Sequence, residues 1–311
     1  MQACWLADVS RAGYYRSLAE RRPAEEQQEV RAAIQEIAVA HKRRYGYRRI
    51  TAELRRRGMK VNHKRVLRIS RQDNLLSIRS RRFVITSDSK HELEVYLNVA
   101  ARMKLTGVDQ LWVADLTYIR LQHEFVYLAV VLDAWSRRIV GWCLDRTLAA
   151  RLAVTALQRA IAGRQPQPGL VHHSDRGIQY ASHDYATLLK EHRMTPSMSK
   201  PAYPYDNAFC ESFMKTMKEE EIYCNDYTDL EDLEKHLEEF LERYYNEQRI
   251  HSALGYLTPA EFEQQMPAAA ADSISGAPKM SFFRHEKSTA PINDSKTDGE
   301  PTRDSPPRSL Q

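Results

Sequence analysis

Three apolar runs, Leu111–Arg120, Glu124–Asp133 and Arg137–Cys143, follow one another with only a few residues between them. They are rich in Val, Ile, Leu, Tyr and Trp, the composition of half-buried pleated strands. Those gaps are short enough for the three runs to pair as an antiparallel meander. Asp133-Ala134-Trp135-Ser136 supplies the second turn. Beyond the meander, Leu148–Ile161 has helical spacing, Leu170–Ser174 reads as a short strand and Tyr180–Glu191 as a helix. A last strand near Thr195–Met198 leads to a turn at Pro204–Asn207, a helix running to Glu221, and a long amphipathic helix over Leu230–Tyr245. That order predicts an α/β fold with a mixed five-stranded sheet flanked by helices.

Two acids sit where this fold tolerates them poorly. Asp115 lies inside the first apolar run, and Asp175 ends the run Gly169–Asp175. A carboxylate in an apolar strand is costly unless it is paired or binds a metal. At about 100° per residue, the helix after Pro204 places Asn207, Glu211, Lys215 and Lys218 on one narrow arc, with Phe209, Phe213 and Met217 roughly opposite. Alone, that arc reads as a solvated face with an i,i+4 Glu211–Lys215 pair. Beside Asp115 and Asp175, Glu211 reads as the third member of a carboxylate cage for hard divalent cations.

Charge separates the front of the chain from this region. Residues 1–110 carry 24 Lys and Arg against 12 Asp and Glu, although the whole chain nets only +5. A helical hairpin is expected within residues 1–20, and helical spacing follows over Glu25–His41. Arg48–Arg57 is expected to be a second helix, with Ile50 and Leu54 inward and arginines outward. Gly58 stops it, and Asn62 caps a third running to about Gln72. The third helix carries Lys64, Arg65, Arg68 and Arg71, so the group reads as a small all-α, helix-turn-helix-like unit contacting double-stranded DNA. The boundaries expected are a helical unit over 1–76, a linker over 77–107, a catalytic core over 108–266 and a disordered tail over 267–311. No apolar run reaches the roughly 20 residues of a membrane span. The scattered Cys4, Cys143, Cys210 and Cys224 form neither a disulfide framework nor a zinc knuckle, so a cytoplasmic, nucleoid-associated protein is expected.

The motifs WVADLTYI, YLAVVLDAWSRRIVGW, HSDRGIQY, SMSKPAYPYDNAFCESF and YYNEQRIHSALGYLTPAEF occur in that order, and 35 residues intervene between Asp175 and Glu211. The chain from Cys4 to Phe262 resembles the second-reading-frame transposases of bacterial insertion sequences, relatives of retroviral integrases. The resemblance implies a ribonuclease-H-like core whose acid triad Asp115, Asp175 and Glu211 binds two magnesium ions, with manganese able to substitute. It implies that Lys218 contacts DNA at the reacting end and that His173, Ser174, Gly177, Asp206 and Asn207 shape the site; Lys215 and Asn207, on the arc of Glu211, are expected to contact DNA as well. Ala202 stands where the family often has glycine, and the paired cysteines of an integrase-type zinc module are missing, so zinc is not expected.

The activity implied is metal-dependent cleavage at element ends followed by strand transfer, in which a DNA 3′-hydroxyl attacks a phosphodiester. The partners implied are terminal inverted repeats, target DNA, further copies of the chain as a homo-oligomer on DNA, and a first-reading-frame protein. Two alternatives stay open from sequence: a ribonuclease-H-like nuclease without strand transfer, and a non-catalytic DNA-binding regulator of transposition.

Overall fold

A computed structural model describes residue 10 and residues 25–77, 96–199 and 207–265. The hairpin expected within residues 1–20, most of the 77–107 linker, the turn residues Pro204 to Asp206 with Ala202, and the 267–311 tail lie outside the described residues.

Three helices come first: α1 (Glu25–Ala40), α2 (Tyr47–Arg56) and α3 (His63–Gln72). Gly58 adopts a φ of +82° where α2 ends, a conformation that favours glycine. The Asn62 side chain accepts a hydrogen bond from the Lys64 N–H and so caps α3. After the linker come β1 (Leu111–Arg120), β2 (Phe125–Asp133), β3 (Ile139–Asp145), α4 (Ala150–Arg164), β4 (Val171–Ser174), α5 (His183–Glu191) and β5 (Thr195–Met198). The chain closes with α6 (Ala208–Glu220), α7 (Leu230–Glu238) and α8 (Pro259–Gln265). Glu239–Gln248 continues α7 as a π-helix, where apolar spacing predicts uninterrupted α-helix to Tyr245. In this segment Asn246 reaches the β3 edge. Its side chain accepts from the Ile139 N–H at 2.9 Å and donates to the Ile139 carbonyl at 3.0 Å.

The sheet order is β3-β2-β1-β4-β5, with β1 central. β1–β2 and β2–β3 are antiparallel, and β1–β4 and β4–β5 are parallel, which is the mixed sheet expected from sequence. Strand alternation builds one hydrophobic layer on each face. Val113, Ile119, Leu128 and Val130 join the cluster containing Phe213 and Met217 of α6 and Leu237 of α7. Trp112, Ala114, Ala129 and Val131 join the cluster formed by Leu157 of α4 and Leu188 of α5. A Cβ added at Gly141 on β3 would lie 2.3 Å from the Ala156 carbonyl of α4, so only glycine lets this helix seat so close.

The front helices share the first of these layers. Val30, Ile34, Tyr45, Ile50, Leu54 and Val66 belong to the same cluster as Phe213, Phe240 and Ile250. Polar contacts join the same parts. The Tyr45 hydroxyl donates to the Gln248 carbonyl and accepts from the Ile250 N–H, both at 3.0 Å.

Candidate active site

Register brings the first two acids together. Val113 pairs with His173 in the parallel β1–β4 ladder. Asp115 follows Val113 by two residues on β1, and Asp175 follows His173 by two, just past the end of β4, so the ladder delivers both acids to the same end of the β1–β4 pair. Helix α6, which carries Glu211, packs on β1. Burial, then the like charges of Asp175 and Glu211, push the Asp115 carboxyl up to about 7. A hydrogen bond from the Leu116 N–H at 2.9 Å and the ammonium of Lys218 oppose that shift.

Asp175 is held by the turn that follows it. The Gly177 N–H donates to Asp175 Oδ1 at 2.9 Å, and a Cβ at Gly177 would lie 3.0 Å from that same oxygen. His173 is buried between two hydroxyls, with Nδ1 at 2.9 Å from Ser197 Oγ and Nε2 at 3.0 Å from Ser199 Oγ. It fastens β4 to β5 and the residue beyond it, behind the acids. Asp133, at the end of β2, is fully buried and accepts from the N–H groups of Trp135, Ser136 and Asp109. Its backbone partners make it a turn residue, whereas Asp115 faces other acids.

Glu211 stands on the exposed side of α6, and partial burial raises its pKa. Asp175 acts on Asp115 more strongly than Glu211 does. Among the described residues, no three His, Cys, Asp or Glu side chains converge closely enough to hold a metal ion as they stand. Asp175 is therefore the stronger neighbour of Asp115, and Glu211, on the exposed side of α6, the weaker one.

The helix arc differs from the sequence reading in its buried stripe. Cys210, Phe213, Met214 and Met217 are buried, and Phe209 is only half-buried, beneath the Arg137 guanidinium at 3.8 Å. Asn207 is buried, and its Nδ2 donates to the Ala114 carbonyl at 3.0 Å, so it ties the start of α6 to the residue before Asp115. Lys215 is exposed. Lys218 is half-buried with Nζ 5.2 Å from the Tyr118 ring centroid, and desolvation lowers its pKa against the pull of Asp115. On α3, Lys64, Arg68 and Arg71 are exposed and Arg65 is half-buried.

Sequence reasoning missed how many front-half arginines meet acids inside the fold. Arg44 pairs with Glu221, and its Nε donates to the Glu220 carbonyl at 2.9 Å. Arg49 lies 3.3 Å from Glu220, which Arg249 also grips through two bonds of 2.8 and 2.7 Å. Arg31 pairs with Asp73, and Arg56 with Glu261. The sequence signal was the acidic run Glu219–Glu221 at the end of α6.

Comparison with known proteins agrees with this architecture. The integrase core domain family matches residues 106–204 and, through a second description, residues 192–259, while an HTH-like domain matches residues 25–83. The transposase InsF for insertion sequence IS3A of Escherichia coli (strain K12) is 36% identical over 267 residues, covering 84% of this chain and 93% of that protein. The chain belongs to the IS3-type insertion-sequence transposases. Another relative in this family is the insertion element IS600 31 kDa protein of Shigella sonnei, 35% identical over 272 residues, covering 86% of this chain and all of that protein. Among solved structures, a simian T-cell lymphotropic virus intasome in complex with PP2A regulatory subunit B56 gamma aligns at a TM-score of 0.44 and 15% identity, covering 85% of this chain and 78% of that chain. As an IS3-type transposase, the chain is a polynucleotidyl transferase with an integrase core and a helix-turn-helix-like region. Among the described residues, no helix is long and apolar enough to cross a membrane.

Proposed function

We propose that Asp115, Asp175 and Glu211 form the catalytic centre of this transposase and hold two magnesium ions, for which manganese can substitute. The observation that carries this reading is that Asp175 and Glu211 both raise the pKa of Asp115, because a carboxylate crowded by other carboxylates gains from a shared cation. Their oxygens also match the hard-ligand preference of magnesium. Asp115 and Asp175 are the pre-positioned pair, and Glu211 closes the set by rotating its flexible side chain inward from α6. When bound, the ions supply activation of the attacking oxygen and stabilisation of the leaving 3′-oxygen. Gly177 fixes the Asp175 carboxylate by its N–H, and the buried His173 keeps β4 in place behind it. Lys218, half-buried beside Asp115, meets a phosphate of the reacting strand, and exposed Lys215 continues that path along α6.

The substrate is double-stranded DNA, both the element's terminal repeats and the target. Exposed Lys64, Arg68 and Arg71, with half-buried Arg65 beside them, grip phosphates from α3. Two ends must be held together for joining, so the working species is a homo-oligomer on DNA, with a first-reading-frame protein as the further partner. Cleavage followed by strand transfer is tested by incubating the purified chain with DNA bearing element ends and magnesium. Joined product that chelator abolishes is expected. Nicks without joined product would reduce the activity to that of a nuclease, and chelator-insensitive product would overturn the metal reading.

A further inference from the structure

Past Asp115, β1 turns a different face outward. Tyr118 and Arg120 share one side of the strand, and the antiparallel register sets them opposite Tyr127 and Phe125. Tyr118 and Phe125 stand edge to face with centroids 5.7 Å apart. The Arg120 guanidinium lies 5.8 Å from the Phe125 ring, and Lys218 lies 5.2 Å from the Tyr118 ring. Neither Tyr118 nor Phe125 belongs to a hydrophobic cluster among the described residues. Phe125 is 49% exposed and Arg120 is exposed. The nearby acid on the β1–β2 turn, Glu124, is engaged by Arg146 at 3.0 Å.

One exposed ring and one half-buried ring between two cations make a surface for a flexible polyanion whose units have flat faces. Single-stranded nucleic acid is that ligand, because its bases stack on rings while its phosphates meet lysine and arginine. A closed duplex hides its base faces and cannot use the rings. The row begins at the acid site, since Lys218 also acts on Asp115. Tyr118 lies three strand residues from Asp115, roughly 10 Å along β1 and on the other pleat, linked to the acids through Lys218 at its ring and too far to touch a phosphate held between them. It reaches the neighbouring nucleotides instead.

We propose that Tyr118 and Phe125, flanked by Lys218 and Arg120, form a stacking platform for unpaired bases of the DNA strand running past the acid site. The proposal rests on the assignment of Asp115, Asp175 and Glu211 as the catalytic centre. The platform holds the frayed or cut strand so that its end stays beside the acids.

The test measures binding of the full chain to a blunt duplex and to the same duplex with a short single-stranded overhang. Wild type is expected to favour the overhang, and Phe125→Ala to lose roughly five-fold or more on that probe while binding the blunt duplex as wild type does. Phe125→Trp, which keeps a ring, is expected to retain the preference. Equal binding of both probes by wild type, or an equal loss on both by Phe125→Ala, would overturn the platform. Cleavage by Asp175→Asn, measured alongside, separates the two ideas. Retained cleavage removes the catalytic assignment, whereas abolished cleavage with no effect of Phe125→Ala removes the platform alone.

Discussion

Asp115 carries a cost that the protein without metal must bear. Its carboxyl is pushed from 3.8 to about 7, so between those values the folded protein holds a proton that the unfolded chain has released. Stability contributed by this residue therefore falls as pH rises through that window. Asp115→Asn is predicted to stabilise the metal-free protein near pH 7 by about 2 kcal/mol and to give no gain near pH 4. Thermal unfolding at the two pH values checks this, and a gain independent of pH would contradict it. The candidacy of Asp115 was legible in the sequence because an acid interrupts an apolar strand. The register that carries it towards Asp175 was not, because the β1–β4 ladder depends on a crossover through α4. Asn207 shows the opposite failure. Helical spacing put it on the arc of Glu211, yet it sits at the helix cap, where its amide serves the Ala114 carbonyl.

Helix α6 is held at both ends, by Asn207 at its start and by a knot of charges at its finish. Glu220 receives Arg49 and a two-bonded Arg249, while Glu221 receives Arg44, Asn225 and Tyr227. Arg249 is 3% exposed, and deleting it leaves the half-buried Glu220 with only the longer Arg49 contact at 3.3 Å. Arg249→Ala is predicted to destabilise by roughly 3–5 kcal/mol, and Arg249→Lys to recover only part of that loss because a point charge cannot reproduce the two-bonded fork. Chemical denaturation measures both, and an Arg249→Ala variant as stable as wild type would refute the clamp. The β1–β3 meander was legible to within a residue or two, since short gaps and β-rich runs leave one topology. The clamp was hidden, because Arg44 and Glu221 meet across 177 residues of chain and nothing local marks either as a partner. The π-helical turn over Glu239–Gln248 was hidden too. A buried stripe at three- and four-residue intervals looks the same whether the hydrogen bonds span four residues or five.

Across the whole molecule, the basic front divides into two populations. Arg31, Arg44, Arg49 and Arg56 face acids within the fold, whereas Lys64, Arg68 and Arg71 of α3 face solvent. Only the second population is available to release counterions from DNA. Arg68→Ala with Arg71→Ala is predicted to reduce the slope of log affinity against log salt by roughly two, while Arg49→Ala leaves the slope unchanged and lowers the melting temperature. A slope that responds equally to both variants would contradict the division. The central claim concerns where the chemistry happens, and cleavage of element-end DNA by Asp175→Asn in magnesium tests it most directly. The expected result is loss of both cleaved and joined strands with DNA affinity close to wild type; magnesium-dependent cleavage near the wild-type rate would show that the acid site is not the catalytic centre.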